Sequence, residues 1–493
     1  MIKINDKVIK QQPKFWNHAL FHPTDAIEDP WGKRILDRMA ADGAIKTIRL
    51  YTMFEDIVYL DEDGALCYDF RVNDVRLDYL LEKGYDILLA YAGMPDCIAQ
   101  SNNLVFSAAK NATRYKGKMW NSAPPKDYAL WEEICYEYTK HIVERYGEET
   151  VSKWHCHCHN EPDGSFWMRN LERDDLVPKC EEYCKLYDAF VRGVRRASKG
   201  IPVGGPALAA RTAFLDQFLA HVKETGVELN YLALHTYGAS PKTLNDGRRR
   251  LTTQNHFEKA IGPYLEVMRK HGFENTELIF DEWGASSAGF KNMEDCPALI
   301  FRENEVFSAY FVKFIYQLIQ TGINISKMMI CLSGQHEMVT DFTGFRNFFT
   351  LNFIAKPIYN AQLLTSKMED LLVESKADNE NIFAVSTKNE KGDHSVLLTY
   401  CSEFFEENLP EITEEVTFEE DIKDKTVTLW CIDKQTTNPY RMWERAGKPE
   451  MTEAFLKELR EEGKLKLVKV QPGTEPISLQ LTANATYLIT VSD

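Results

Sequence analysis

Two short stretches of this chain place carboxylates where they can act on a substrate. Residues 155–167 read HCHCHNEPDGSFW, centred on Asn160-Glu161-Pro162. An apolar helical pattern precedes them and a short strand-like segment leads in, so Glu161 stands where a strand gives way to a loop. Residues 277–284 read ELIFDEWG. Here Leu278-Ile279-Phe280 predicts a buried strand and Asp281-Glu282-Trp283 its end. Two carboxylates at the carboxyl ends of two strands suit glycosidic bond cleavage: one gives a proton to the leaving oxygen, the other attacks the anomeric carbon. In that scheme Glu161 is the general acid and later the base, with a neighbouring negative charge to raise its pKa. Glu282 is the nucleophile, kept ionised by hydrogen bonds, and Asn160 holds the sugar 2-hydroxyl. Asp281 is the alternative nucleophile, but strand alternation sends it and Glu282 to opposite faces. The plainer reading is a pair of ordinary loop carboxylates.

Other side chains cluster near these strand ends. His235 and Tyr237 close another apolar run two residues apart, so both are expected at the same mouth, where the tyrosine hydroxyl could orient the nucleophile; the alternative is a satisfied core pair. Arg49 ends an earlier run and could anchor a carboxylate such as Glu282, or make a structural ion pair. His155, His157 and His159 alternate with Cys156 and Cys158. Histidines at i, i+2 and i+4 span about 13 Å of strand, too far to share one ion. Two of them with a distant third ligand are the metal-binding alternative; the favoured reading is barrel filling or sugar contact, with neither metal nor cofactor called for. Trp167 and Trp283 are candidates to stack on a sugar ring or to pack the core.

These positions imply a scaffold. Before residue 364, apolar runs at 45–51, 86–91, 154–161, 202–207, 229–237, 277–283 and 327–333 alternate with helical patterns, and 15–20 makes an eighth run. The clearest helix is 127–146: Asp127 caps it, Leu130, Ile134, Tyr138 and Ile142 recur every fourth residue, and Gly147 stops it. Residues 181–198, 213–225, 256–271 and 304–321 behave alike. Eight strand–helix units predict an α/β fold, a (β/α)8 TIM barrel over 15–364, with Glu161 and Glu282 ending strands four and seven. An open doubly wound sheet is the runner-up, weakened by the lack of a Gly-rich loop after the first strand. Beyond 364, short β-rich runs divided by polar turns predict a C-terminal β-sandwich over 365–493 with one exposed helix. Residues 1–14 are expected to add a strand to it.

Composition narrows the partners. A net charge of −16 argues against nucleic acid. No stretch has the length of a membrane span or a signal peptide, and the 11 cysteines lack a framework spacing. The expectation is a cytoplasmic protein acting on an oligosaccharide, with no membrane partner and with self-association left open.

The ordered set of motifs resembles glycoside hydrolase family 39, the β-xylosidases and α-L-iduronidases of clan A, over nearly the full length. FEDIVYLDEDGALCYDF, LDYLLEKGYDILLAYAGMP, PPKDYALWEEI, VERYGEETVSKW, NEPD followed by FW, VGGPA, ALHTYG, AKPIYNAQLL and NPYRMWERAGKPEMTEAFLKEL follow the family order. The resemblance implies a retaining double displacement, Glu161 as acid/base, Glu282 as nucleophile, and Asn160, His235 and Tyr237 in the substrate pocket. There are departures. His159 stands where the xylosidases carry an aromatic. Arg49-Leu50-Tyr51 replaces Arg-x-His, Ala90 replaces a glutamate, Met328-Met329 replaces Tyr-Trp, and His336-Glu337 replaces Glu-Glu. The Asn-Glu-Pro-Asp form is that of the iduronidases. The expected activity is an exo-acting β-xylosidase on short oligosaccharides. The alternatives are release of another sugar, such as iduronic acid, another uronic acid or arabinose, and an inactive carbohydrate-binding barrel. A uronic acid would call for a cation, which His159, His336 or Arg49 could supply.

Overall fold

The computed structural model describes residues 1–105, 120–171, 175–287, 289, 291–335 and 338–493. Eight parallel strands close into a barrel: His18–Phe21, Thr47–Tyr51, Asp86–Tyr91, His155–Cys158, Val203–Leu208, Tyr231–Ala239, Glu277–Ser286 and Ile325–Leu332. Each leads through helix to the next. Tyr128–Tyr146 shows why: the Asp127 side chain accepts from Ala129 N, and Trp131, Ile134, Cys135, Tyr138 and Ile142 line the buried face. The (β/α)8 expectation therefore holds, with the fourth and seventh strands where the periodicity put them.

Inside the barrel, Leu88, Ala207, Tyr231, Ala233, Ile279 and Met329 form one apolar layer. Above it, toward the carboxyl ends, the interior becomes charged. That change depends on a bulge in the seventh strand. On one side His235 faces Glu282 two residues after Ala233 faces Ile279; on the other, Phe280 and Trp283 face Met328 and Ile330. An extra residue is thus inserted at 281–282, which suspends the two-residue alternation. Asp281 and Glu282 both turn into the barrel, correcting the expectation that they occupy opposite faces. Trp283 turns outward.

The C-terminal strands hydrogen-bond as one continuous nine-stranded sheet that includes the N-terminal strand Ile2–Gln11, antiparallel to Leu371–Ala377 and parallel to Ile412–Phe418. Curling lets residues near both ends of the strand order, such as Leu429 and Leu479, share one core with Ile2 and Ile4. Two helices, Pro439–Arg445 and Glu453–Glu462, pack Tyr440, Leu456 and Leu459 against Phe342 and Ile354 of the barrel.

Candidate active site

Glu161 leaves the fourth strand on a tight loop. His159 and Glu161 both take left-handed backbone angles (φ 62° and 46°), a conformation that costs energy in residues with a side chain and needs outside support. The support comes from the fifth strand. Glu161 N donates to Ala207 O at 2.9 Å. Asp163, 1% exposed, accepts from the backbone N–H groups of Ala209, Ala210 and Arg211 at 2.8–3.0 Å. The aspartate after Asn-Glu-Pro is therefore a clamp that fixes the acidic loop.

Glu282 is held by three side chains from the second and sixth strands. Arg49 Nη1 donates to its Oε1 at 2.9 Å, Tyr51 Oη to the same oxygen at 3.2 Å, and Tyr237 Oη to Oε2 at 2.8 Å. Arg49 is fully buried and also reaches Asn160 Oδ1 at 2.8 Å and Asp281 Oδ2 at 3.0 Å. Burying a guanidinium is costly, and these two carboxylates offset the cost. With its oxygen engaged by Arg49, Asn160 keeps its amide N–H groups as donors.

His235 Nδ1 lies 3.1 Å from Glu161 Oε1 and 3.7 Å from Glu282 Oε2. Oxygens of both carboxylates and the ring nitrogen fall within 4.8 Å of one another. That spacing would also admit an ion, but Arg49 and His235 already bring positive charge against the carboxylates, and we read the group as an acid pair with its histidine. Both acids reach the surface, Glu161 by 23% of its side chain and Glu282 by 9%.

Environment separates the two. Burial pushes the Glu161 carboxyl up, and the charge of Glu282 adds to this, against the hydrogen bond from His235. Burial acts upward on Glu282 too, but the charges of His235, Arg49 and Arg346 outweigh it and hold the group below the usual carboxylate range. One carboxyl is thereby suited to carry a proton while the other stays ionised.

The remaining expected positions fall in different places. Trp283 is fully buried in the helix layer, its ring stacked on Phe311 at 5.5 Å; the outward turn after the bulge takes it out of sugar contact. Trp167 is buried too, its indole N–H donating to Lys179 O and its ring edge-on to His159. His159, 1% exposed, has left the strand, so only His155 and His157 continue up the barrel wall. His336 and Glu337 lie outside the described residues. Sequence reasoning missed Arg346, which follows the eighth strand. Its Nη1 donates to Tyr237 Oη at 3.2 Å and its Nε to Ser333 Oγ at 3.3 Å. No periodicity marks a loop arginine; the turn at Gly344 (φ 77°) is the one local signal nearby.

The model of the glycosyl hydrolases family 39 matches residues 1–472. A β-xylosidase of Caldicellulosiruptor saccharolyticus is 25% identical over 488 residues, covering 93% of this chain and 90% of its own. The human α-L-iduronidase is 26% identical over 250 residues, 46% of this chain and 34% of its own. The structure of a family 39 β-xylosidase from Caulobacter crescentus superposes with a TM-score of 0.79 at 19% identity, covering 100% of this chain and 99% of that one. The chain belongs to glycosyl hydrolase family 39 and is an O-glycosyl hydrolase.

Proposed function

We propose that the protein is a retaining, exo-acting β-xylosidase that works on short oligosaccharides. The observation that carries this reading is the pair Glu161 and Glu282, with oxygens within 4.8 Å and opposite pKa displacements. Retaining enzymes need carboxyl groups about 5 Å apart, because the nucleophile bonds directly to the sugar; inverting enzymes leave room for a water between. In the first step Glu282 Oε bonds to the anomeric carbon as the glycosidic bond breaks, and Glu161 gives its proton to the leaving oxygen. In the second, Glu161 takes a proton from water as the water oxygen bonds to that carbon and the bond to Glu282 breaks. The Asn160 amide donates to the sugar 2-hydroxyl, and Tyr51 and Tyr237 keep the attacking carboxylate aimed. Xylose and the exo mode are drawn from the β-xylosidases among the relatives.

One observation favours a second reading. Arg346 is a cation beside Tyr237 that is only partly buried, so a sugar carboxylate could pair with it, as a uronic acid requires. A panel of nitrophenyl β-xyloside, α-L-arabinoside, β-glucuronide and α-L-iduronide separates the two. The β-xyloside is expected to be cleaved fastest, whereas a uronide preference abolished in Arg346→Met selects the alternative. Replacing Glu282 with Gly should abolish turnover, and azide should restore it with formation of a glycosyl azide. An inactive wild type on all four sugars rejects the proposal.

A further inference from the structure

The bulge brings Asp281 into the barrel beneath the two glutamates, where it is completely buried and out of reach of any sugar. A sealed carboxylate needs compensation. Arg49 Nη2 supplies part of it, 3.0 Å from Oδ2. His157 Nε2 is also near, at 3.4 Å, but that nitrogen accepts from Arg49 Nε at 3.1 Å. A nitrogen accepting from a guanidinium offers a lone pair, so His157 gives Asp281 no proton. His235 is left, with Nε2 3.5 Å from Asp281 Oδ2.

The ring of His235 therefore has a carboxylate at each nitrogen: Asp281 at Nε2, Glu161 and Glu282 at Nδ1. A neutral imidazole carries one N–H and would turn a lone pair toward one of two ionised carboxylates, Asp281 at Nε2 or Glu282 at Nδ1. An imidazolium turns an N–H to each side, as a hydrogen bond to Glu161 and as an ion-pair contact at 3.5 Å to Asp281. We infer that Asp281 holds His235 as a permanent imidazolium, whose Nδ1–H faces Glu161, so that Asp281 is a positioning residue for the acid/base carboxyl one side chain away.

The surroundings agree. Burial lowers the affinity of His235 for its proton, but Glu282 and Asp281 together raise it well above the ordinary histidine value. The other titratable groups packed around the cluster are neutral or fixed. Burial and Arg49 push His157 down to about 3; burial raises the phenols of Tyr231 and Tyr264; Arg49 stays charged. The role deepens the proposed mechanism and rests on it: Glu161 must hold a proton in the first step and lose it for the second. A fixed positive charge at His235 favours the ionised form that the second step uses, and the ring keeps both its protons throughout.

The test begins without turnover. Long-range proton–nitrogen spectra of the full chain carrying nitrogen-15 histidine, with the His235 signal assigned by its loss in His235→Gln, should show both ring nitrogens protonated up to pH 8. A neutral ring at pH 7 overturns the inference even if the enzyme is active. In Asp281→Asn, where Glu282 alone opposes burial, the His235 pKa should fall toward its ordinary value of about 6.5. The alkaline limb of kcat/KM should move up by about one pH unit. Turnover should fall about tenfold with KM falling alongside it, because the glycosyl-enzyme accumulates when its hydrolysis slows. A merely structural aspartate would lower stability and leave the pH limb in place, which counts against the inference. If Asp281→Asn does not fold, the wild-type nitrogen spectra decide. Should no glycoside be cleaved, the assigned reaction fails, while the spectra still report on His235.

Discussion

Two of the charge groups in this molecule, one at the seam between barrel and sheet and one in the barrel mouth, are built differently. At the seam between barrel and sheet, Glu305 on the helix Glu305–Thr321 receives Arg441 from the helix Pro439–Arg445 as a fork, with bonds of 2.8 and 3.0 Å, and Asn438 at 2.8 Å. Both oxygens of Glu305 have donors, and the remaining nitrogen of Arg441 is taken by Glu444 at 2.7 Å. In the barrel mouth, three carboxyl groups, Glu161, Asp281 and Glu282, share Arg49 and His235, and Asp281 has contacts of 3.0–3.5 Å rather than a set of aligned hydrogen bonds. The seam spends its charges on fixing one arrangement. The mouth keeps an excess of acid whose proton can move, which a closed pair would not allow.

The sharpest way to break this contrast is at Glu282, the proposed nucleophile. Glu282→Ala should reduce turnover by about 10⁴-fold or more, while the thermal midpoint stays within a few degrees, since Asp281 remains to balance Arg49. A large loss of stability in that variant would mean Glu282 belongs with the structural charges. Glu161→Gln should slow substrates with poor leaving groups about 10²- to 10⁴-fold and nitrophenyl substrates much less in the first step. The wild-type kcat/KM profile should be bell-shaped, its acid limb set by the depressed Glu282 and its alkaline limb by the raised Glu161; the Gln variant should lose the alkaline limb. The same displacements bear on folding. Groups held below their unfolded pKa, Asp281 and Glu282, stabilise the fold above the ordinary carboxylate range, and that contribution disappears as pH falls through their folded values.

At the seam the signs reverse. Arg441→Ala leaves Glu305, fully buried, with Asn438 alone, and should cost about 3–5 kcal/mol of stability, read from the denaturant midpoint. Turnover per folded molecule should remain near wild type. A variant of normal stability but impaired kcat would show that the seam communicates with the mouth.

The sequence disclosed these two regions unequally. Periodicity and caps located the barrel strands because each is a local pattern repeated eight times, and the carboxyl ends followed from them. The in-or-out fate of Asp281 and Trp283 did not follow, since one inserted residue reverses the alternation and nothing in ELIFDEWG marks it. Arg346 and the Asp163 clamp were hidden for another reason: their partners lie across the chain, in Tyr237 and in the backbone of residues 209–211. Five of the C-terminal strands were legible one at a time, but the acidic Ile412–Phe418 reads as a solvated loop, and the joining of all into a single curled sheet depends on long-range pairing that short runs do not encode.

The smallest effect distinguishes aiming from mere charge. Tyr237 donates to Glu282 at 2.8 Å and accepts from Arg346 at 3.2 Å, so its hydroxyl couples that carboxylate to a loop cation. Tyr237→Phe keeps the ring and removes that link. A hydrogen bond to a charged group contributes about 1.5–3 kcal/mol, which corresponds to about a 10- to 100-fold loss if the bond matters fully in the transition state. Arg49 and Tyr51 still hold the other oxygen, so the lower end, about tenfold in kcat, is expected with little change in KM. If kcat is unchanged and the acid limb alone moves upward, the hydroxyl serves to keep Glu282 ionised rather than to aim it. Aiming in that case falls to Arg49 and Tyr51, and the mouth resembles the seam more closely on its second-strand side than on its sixth.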